Sequence, residues 1–189
     1  MSNFECLGLP ACGKSWVVQN ILDCKDYKCV SISSLNKFLK GSAVFFGIVF
    51  HYQIVHKLYM IYLFNDKLAA RKTISKLSVL FSRLGLLKIV NSAVVDEGPL
   101  QALWGAVWKM ECNDKNLMLV SEIVNCITKE QSVIYIMSNK SDYKQRVASR
   151  ARRHPFSFAD QHDVKLGRKW LALILRSARK CTSVVLIKN

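Results

Sequence analysis

Residues 8 to 15 read Gly-Leu-Pro-Ala-Cys-Gly-Lys-Ser and match the eight-residue pattern GxxxxGK[ST], the P-loop. The pattern works only between a strand and a helix. Its glycines let backbone N–H groups turn toward a chain of phosphates, and the helix N-terminus adds positive potential. Both flanks are present: Phe4-Glu5-Cys6-Leu7 is a short strand candidate running into Gly8, and Lys14 to Leu22 carries Trp16, Val17, Ile21 and Leu22 among its apolar positions, as a helix requires. In such a loop Gly8, Pro10, Ala11, Cys12, Gly13, Lys14, Ser15 and Trp16 surround a nucleoside triphosphate. Lys14 reaches the β and γ phosphates and the Ser15 hydroxyl ligates Mg²⁺. Pro10 stiffens the loop, and Cys12 fills a small-residue position with no catalytic part.

The rest of the chain keeps alternating. Cys29-Val-Ser-Ile-Ser33 reads as a second strand, followed by long helical patterns over 34 to 63 and 66 to 85. Ser92-Ala-Val-Val95 is a strand ending in Asp96-Glu97-Gly98, and Pro99 opens a helix to about Met110, because its missing N–H is not needed there. A helix over roughly 116 to 128 comes next. Ser132-Val-Ile-Tyr-Ile-Met137 is a continuous apolar run, expected of a strand buried on both faces of a parallel sheet. An Arg-rich helix, another helix over roughly 160 to 180, and a last strand at Ser183-Val-Val-Leu-Ile187 complete the order. Five short strands alternating with helices predict an α/β fold with a mostly parallel sheet flanked by helices and right-handed crossovers. No repeat, low-complexity tract or linker divides the 189 residues, so a single domain over 1–189 is expected.

Charge narrows the partners. The chain is 51% hydrophobic and 22% charged, which excludes intrinsic disorder, yet it carries 28 Lys+Arg against 13 Asp+Glu, a net +15. Residues 14 to 88 are +9, residues 140 to 180 are +9, and residues 89 to 139 are −3. A negatively charged partner is expected. Seven cysteines, an odd number without CxxC or zinc-like spacing, fit a reduced compartment, and Met-Ser-Asn-Phe-Glu does not open a secretory signal. The expected location is the cytoplasm. Ser42 to Phe64 is apolar enough to suggest a membrane span, but His51, Gln53, His56 and Lys57 stand where its centre would be. The reading is one long, largely buried helix, with a surface-lying amphipathic helix as the intermediate case.

Two further constellations complete the chemistry. Ala93-Val-Val-Asp96-Glu97 is a hydrophobic strand ending in two acids, which suits Asp96 to hold Mg²⁺ and Asp96 or Glu97 to orient or deprotonate an attacking group. Asp142-Tyr-Lys-Gln-Arg146-Val-Ala-Ser-Arg150-Ala-Arg152-Arg153 places Arg146 and Arg150 four apart on one helix face, where guanidinium groups neutralise charge on a transferring phosphoryl group. Trp104 and Trp108, with Leu100, Leu103 and Val107, form an aromatic stripe expected in the core. Lys37, Lys40, Arg71 and Arg83 are candidates to line an acidic acceptor pocket.

In order, the P-loop, the acidic end of a middle strand, and a strand with Tyr135-Ile136 followed by an Arg-x-x-x-Arg helix resemble the nucleoside and nucleoside-monophosphate kinases, particularly thymidylate-kinase-like chains. The resemblance implies a five-stranded sheet in the order 2-3-1-4-5 on the P-loop NTPase fold and ATP on the P-loop. It also implies a mobile lid over about 139–156, whose Arg146, Arg150 and Arg153 close over the phosphates. A helical acceptor-binding region over about 34–88 completes it. Where that family usually has Asp-Arg after the middle strand, this chain has Asp96-Glu97-Gly98. Short P-loop chains with such a turn also resemble bacterial kinases of sugar or polysaccharide metabolism.

The expected function is therefore a Mg²⁺-dependent transfer of the γ-phosphoryl group of ATP to a small-molecule acceptor, a nucleoside, nucleotide or sugar. Asn139-Lys140-Ser141-Asp142 fits the guanine-reading NKxD pattern, so GTP is the alternative nucleotide. An ATP or GTP hydrolase or switch acting on a macromolecule is a second reading. The third is a nucleic-acid-binding protein that uses the surplus charge. An anionic membrane surface would answer the same charge.

Overall fold

The computed structural model describes residues 3–23, 28–30, 37–63, 70–90, 93–129, 131–137, 146 and 161–188. Strands β1 (Asn3–Leu7), β2 (Lys28–Val30), β3 (Ala93–Val95), β4 (Gln131–Met137) and β5 (Val184–Lys188) form one sheet in the order β2-β3-β1-β4-β5. Every neighbouring pair is parallel, with Phe4 opposite Val94 and Ser132, and Val133 opposite Val184. Around the sheet run α1 (Lys14–Asp23), α2 (Lys37–Phe50), α3 (Tyr52–Leu63), α4 (Ala70–Ile89), α5 (Pro99–Val107), α6 (Asp114–Thr128) and α7 (Gln161–Cys181).

The central strands are mostly apolar because both their faces are covered, with Asn3 and Glu5 of β1 and Gln131 of β4 as buried polar exceptions. Leu7 of β1 and Val133 of β4 enter a large cluster with Leu58, Leu84, Leu100, Trp104, Ile123, Trp170 and Ile174 from the helices on one side. Their neighbours Cys6, Ile134 and Ile136 point the other way, into a smaller cluster with Cys12, Val17 and Val18 at the P-loop and α1. The period-2 alternation of a strand thus feeds two separate cores. Pro99 stands at the first position of α5, and Asn113 caps α6, its Oδ1 accepting from the Asn116 N–H at 2.8 Å.

The pattern over 34 to 63 does not make one long helix. It breaks at His51, and α2 and α3 meet at 85°. The new helix starts there, with the N–H groups of Ile54 and Val55 donating to the His51 carbonyl at 2.9 and 3.3 Å. Nor is α2 largely buried. It meets α4 through a seam of small residues so close that a Cβ on Gly47 would lie 1.9 Å from the Phe81 carbonyl oxygen, and one on Gly85 1.7 Å from that of Ala43. Phe45, Phe50 and Tyr52 on its outer side are exposed. Among the described residues no single helix is long and apolar enough to cross a membrane. The pattern over 66 to 85 gives α4 at Ala70–Ile89, four residues further along at its end.

Candidate functional site

β1, the central strand, delivers residues 8–13 to the C-terminal end of the sheet, and α1 begins directly after them. Gly8 admits no side chain: a Cβ there would lie 2.6 Å from Cys12 Sγ and 2.7 Å from the Ile136 carbonyl oxygen. The loop turns through two left-handed residues, Ala11 at φ 70° and Gly13 at φ 93°. The second suits glycine, whereas Ala11 holds a conformation that costs an L-residue about 1–2 kcal/mol. Lys14 is almost buried and folds back over the loop, its Nζ donating to the carbonyls of Gly8 at 3.0 Å and Leu9 at 3.2 Å. Cys12 is buried against Val17, Val18 and Ile136, in keeping with a filler.

Ser15 and Asp96, 81 residues apart, come together where α1 starts and β3 ends: the Ser15 hydroxyl donates to Asp96 Oδ2 at 3.2 Å. Burial pushes the Asp96 carboxyl above its ordinary range. The Ser15 hydrogen bond opposes this, Glu97's charge adds to it, and Lys14 and Arg83 pull it down. Asp96 Oδ1 is buried with no hydrogen-bond partner. A hydroxyl and an unpartnered carboxylate oxygen at one end of a P-loop fit Mg²⁺, which such sites hold through one Ser or Thr, one Asp and the phosphates themselves. Among the described residues no group of three or more His, Cys, Asp or Glu gathers as a metal site, so a cation here would rely on phosphate oxygens.

Glu97 turns away from Asp96 toward α4. Arg83 Nη2 bonds its Oε2 at 2.9 Å and Arg83 Nη1 donates to the Gly98 carbonyl at 3.2 Å. Arg83 therefore brings a cation from α4 to the acidic turn that lacks one in sequence.

Two side chains with no place in the motif reading organise this region. Glu5, fully buried on β1, accepts from the Leu100 N–H at 3.0 Å, the Gln101 N–H at 2.7 Å and Gln131 Nε2 at 2.6 Å, capping α5. Gln101 in turn accepts the Gly8 N–H at 3.2 Å through Oε1. Gly98 is glycine because a Cβ there would run into the Glu5 carboxylate, at 2.5–2.8 Å. Desolvation pushes the Glu5 carboxyl up to about 7 against its backbone hydrogen bonds. A charged residue inside an apolar strand was the available signal for Glu5; Gln101 had none.

Two cavities meet at this turn. One, of about 150 Å³, is lined by the P-loop, Trp16, Asp96, Glu97 and Gln101. The other, of about 200 Å³, is lined by Ser75, Lys76, Val79 and Arg83 of α4, by Glu97, and by Gln101, Trp104 and Gly105 of α5. Glu97 and Gln101 border both. Trp104 and Trp108 are core residues stacked at 6.2 Å, as their spacing indicated, and Trp104 also walls the second cavity. Of the basic residues read as pocket candidates, Arg83 reaches the site, and the side chains of Lys37 and Arg71 lie outside the described residues. Arg146 approaches the loop, its Nη1 donating to the Cys12 carbonyl at 3.4 Å. Arg150, Arg153 and the Asn139 to Asp142 stretch lie outside the described residues.

No protein-family model matches the chain, and no curated protein matches it by sequence. Solved structures do. Deoxyadenosine kinase from M. mycoides with the products dCMP and a flexible dCDP superposes with a TM-score of 0.57 at 12% identity, over 98% of this chain and 88% of that one. The same enzyme with bound dATP gives 0.56 at 12% identity, over 98% and 90%. The fold is that of a nucleoside kinase. The first cavity lies at the loop after β1, and the second lies between α4, which belongs to the 34–88 region, and α5, which follows it.

Proposed function

We propose that the chain is a phosphotransferase that moves the γ-phosphoryl group of ATP to a hydroxyl of a small acceptor, with a nucleoside first among acceptors. The observation that carries this reading is the pair of adjoining cavities sharing Glu97 and Gln101, one on the P-loop and one beside it. A donor phosphate chain in the first and an acceptor hydroxyl in the second would meet at Glu97. The similar structures are of a deoxyadenosine kinase, which supports the acceptor class.

In this reading Lys14 leaves the Gly8 and Leu9 carbonyls to bind the β and γ phosphates. Ser15 and Asp96 hold Mg²⁺, which when bound screens phosphate charge. Glu97, on the border of the two cavities, accepts the hydroxyl proton, while Arg83 sets the position of that carboxylate. Arg146, beside the loop backbone, meets the charge of the transferring group, joined by Arg150 and Arg153 of the lid over 139–156. Trp16 flanks the phosphate cavity, and residues 1–189 act as one kinase-like domain.

The test is acceptor-stimulated ADP release from ATP across a panel of nucleosides, nucleotides and sugars, with Lys14→Ala as control. Release that depends on a nucleoside and falls at least about a hundredfold in Lys14→Ala is the expected result. Phosphate release independent of every acceptor would replace the kinase reading with a hydrolase.

A further inference from the structure

The outer face of α7 is a stripe of cations that nothing in the proposed chemistry uses. From Lys165 to Lys180 its exposed positions are Lys165, Arg168, Lys169, Arg176, Arg179 and Lys180, with Ala172 the one uncharged residue among them. At 3.6 residues per turn the six fall within about 120° of one helix face, and they extend about 22 Å along it. The opposite face is the apolar one: Trp170, Leu171, Ile174 and Leu175 are buried in the large core cluster with residues of α5 and α6.

The stripe is not neutralised by its surroundings. Residues 164–189 hold seven Lys/Arg and no Asp or Glu. Asp163, at the start of α7, pairs with Lys109 at 2.6 Å. Among the described residues none of the six forms an ion pair. Burial pushes up the Cys112 thiol near Lys169 and the Tyr135 hydroxyl near Arg179, so both stay neutral and offer no counter-charge. Nor does the helix itself require these cations. Arg179 and Lys180 suit its C-terminal dipole, whose reach ends within the last turn. The other four lie before that turn. Lys165–Arg168, Lys165–Lys169, Arg176–Arg179 and Arg176–Lys180 are like charges three or four residues apart, a spacing that weakens a helix.

An uncompensated row of cations on a straight element matches a partner whose negative charge also repeats. Each strand of a nucleic-acid duplex carries one phosphate per about 3.4 Å of axis, so about 22 Å of helix faces about six of them. A bilayer needs exposed apolar side chains beside the cations, and the large apolar residues of α7 are turned into the core. Stacking on single strands needs exposed aromatic rings, and Trp170, the one Phe, Tyr or Trp of α7, is fully buried. We propose that the Lys165 to Lys180 stripe of α7 is a docking face for the backbone of double-stranded nucleic acid, held through its phosphates without reading sequence. None of the six residues lines either cavity at the P-loop, so the face is additional to the nucleotide site.

The test is fluorescence anisotropy of labelled DNA and RNA duplexes of about 20 base pairs, titrated with the full chain between about 50 and 200 mM sodium chloride. Expected is binding to at least one duplex that is indifferent to its sequence and weakens with salt at a log–log slope of about −5, from about 0.9 per neutralised phosphate. Lys165→Gln/Lys169→Gln/Arg176→Gln should bind at least tenfold more weakly, with a slope shallower by about 2 to 3. Lys88→Gln/Lys115→Gln/Lys129→Gln removes the same charge from other exposed positions and should change affinity less than threefold. The stripe variant loses like-charge pairs, so a thermal midpoint that holds or rises reports its intact fold. Four results would overturn the proposal: no binding of either duplex at the lowest salt, equal losses in the two triple variants, loss of binding in Lys14→Ala, or tighter binding to polyglutamate or to vesicles of equal parts phosphatidylglycerol and phosphatidylcholine. Duplex binding is read without turnover, so it stands or falls separately from the kinase reading.

Discussion

Glu5 connects the P-loop to the start of α5, and it does so from a position where a carboxylate is costly. Of its three accepted hydrogen bonds, those from the Leu100 and Gln101 N–H groups hold the start of α5 and the third comes from Gln131; the Gln101 side chain then takes the Gly8 N–H, so the loop and both cavities depend on one strand residue. With the native carboxyl raised to about 7, the sign of its pH dependence is fixed. Below the unfolded value of about 4.5 both states hold the proton, and Glu5 adds no slope. As pH rises toward 7 the unfolded chain releases its proton first, so stability falls, by up to about 3 kcal/mol, and levels off above 7. Replacing Glu5 with Gln removes the titration. Urea unfolding at pH 5 and pH 7.5 should therefore show the stability of wild type relative to Glu5→Gln decreasing over that window. An equal difference at both pH values would mean that Glu5 ionises normally in the fold.

The same residue marks the limit of reading sites from motifs. Lys14, Ser15, Asp96 and Arg146 belong to patterns that place them near phosphate, and the structure brings all four around one loop. Glu5 and Gln101 belong to no pattern. Their roles come from three-dimensional neighbours 93 to 126 residues away, which no local window contains.

At the scale of elements, patterning gave strand and helix positions to within a few residues because parallel central strands and amphipathic helices carry strong periods. The break at His51 left no such mark: Phe50-His51-Tyr52 contains neither Pro nor Gly, and the turn is made by where α3 packs. The seam between α2 and α4 is the reverse case. Its glycines look alike in sequence but differ in space, since Gly47 faces the Phe81 backbone while a Cβ on Gly41 would meet nothing within 4 Å. Gly47→Ala must push two backbones apart and is expected to lower stability by about 2 kcal/mol or more. Gly41→Ala, inside the same helix with open space beside it, should raise it by about 0.5–1 kcal/mol. Thermal melts of the two variants should thus move in opposite directions, and a loss in both would place Gly41 in a contact that the seam geometry does not include.

For the whole molecule, the net +15 acts against the compact state, because folding concentrates like charge. Salt has two opposing effects. It weakens ion pairs such as Arg83–Glu97 and Lys109–Asp163, which are partly exposed and contribute about 0–1 kcal/mol each. It also screens the repulsion among a large excess of basic residues, and this effect is the larger, so the urea midpoint should rise between about 20 and 300 mM sodium chloride. Phosphate at the same ionic strength separates general screening from the loop. An anion that binds the native P-loop adds stability by mass action, whereas screening is indifferent to which anion supplies it. Wild type is expected to be more stable in phosphate than in chloride, and Lys14→Ala should lose most of that difference while keeping the rise in chloride. If the phosphate advantage survives in Lys14→Ala, phosphate is acting through the surplus surface charge or by its exclusion from the protein surface, and not through the loop.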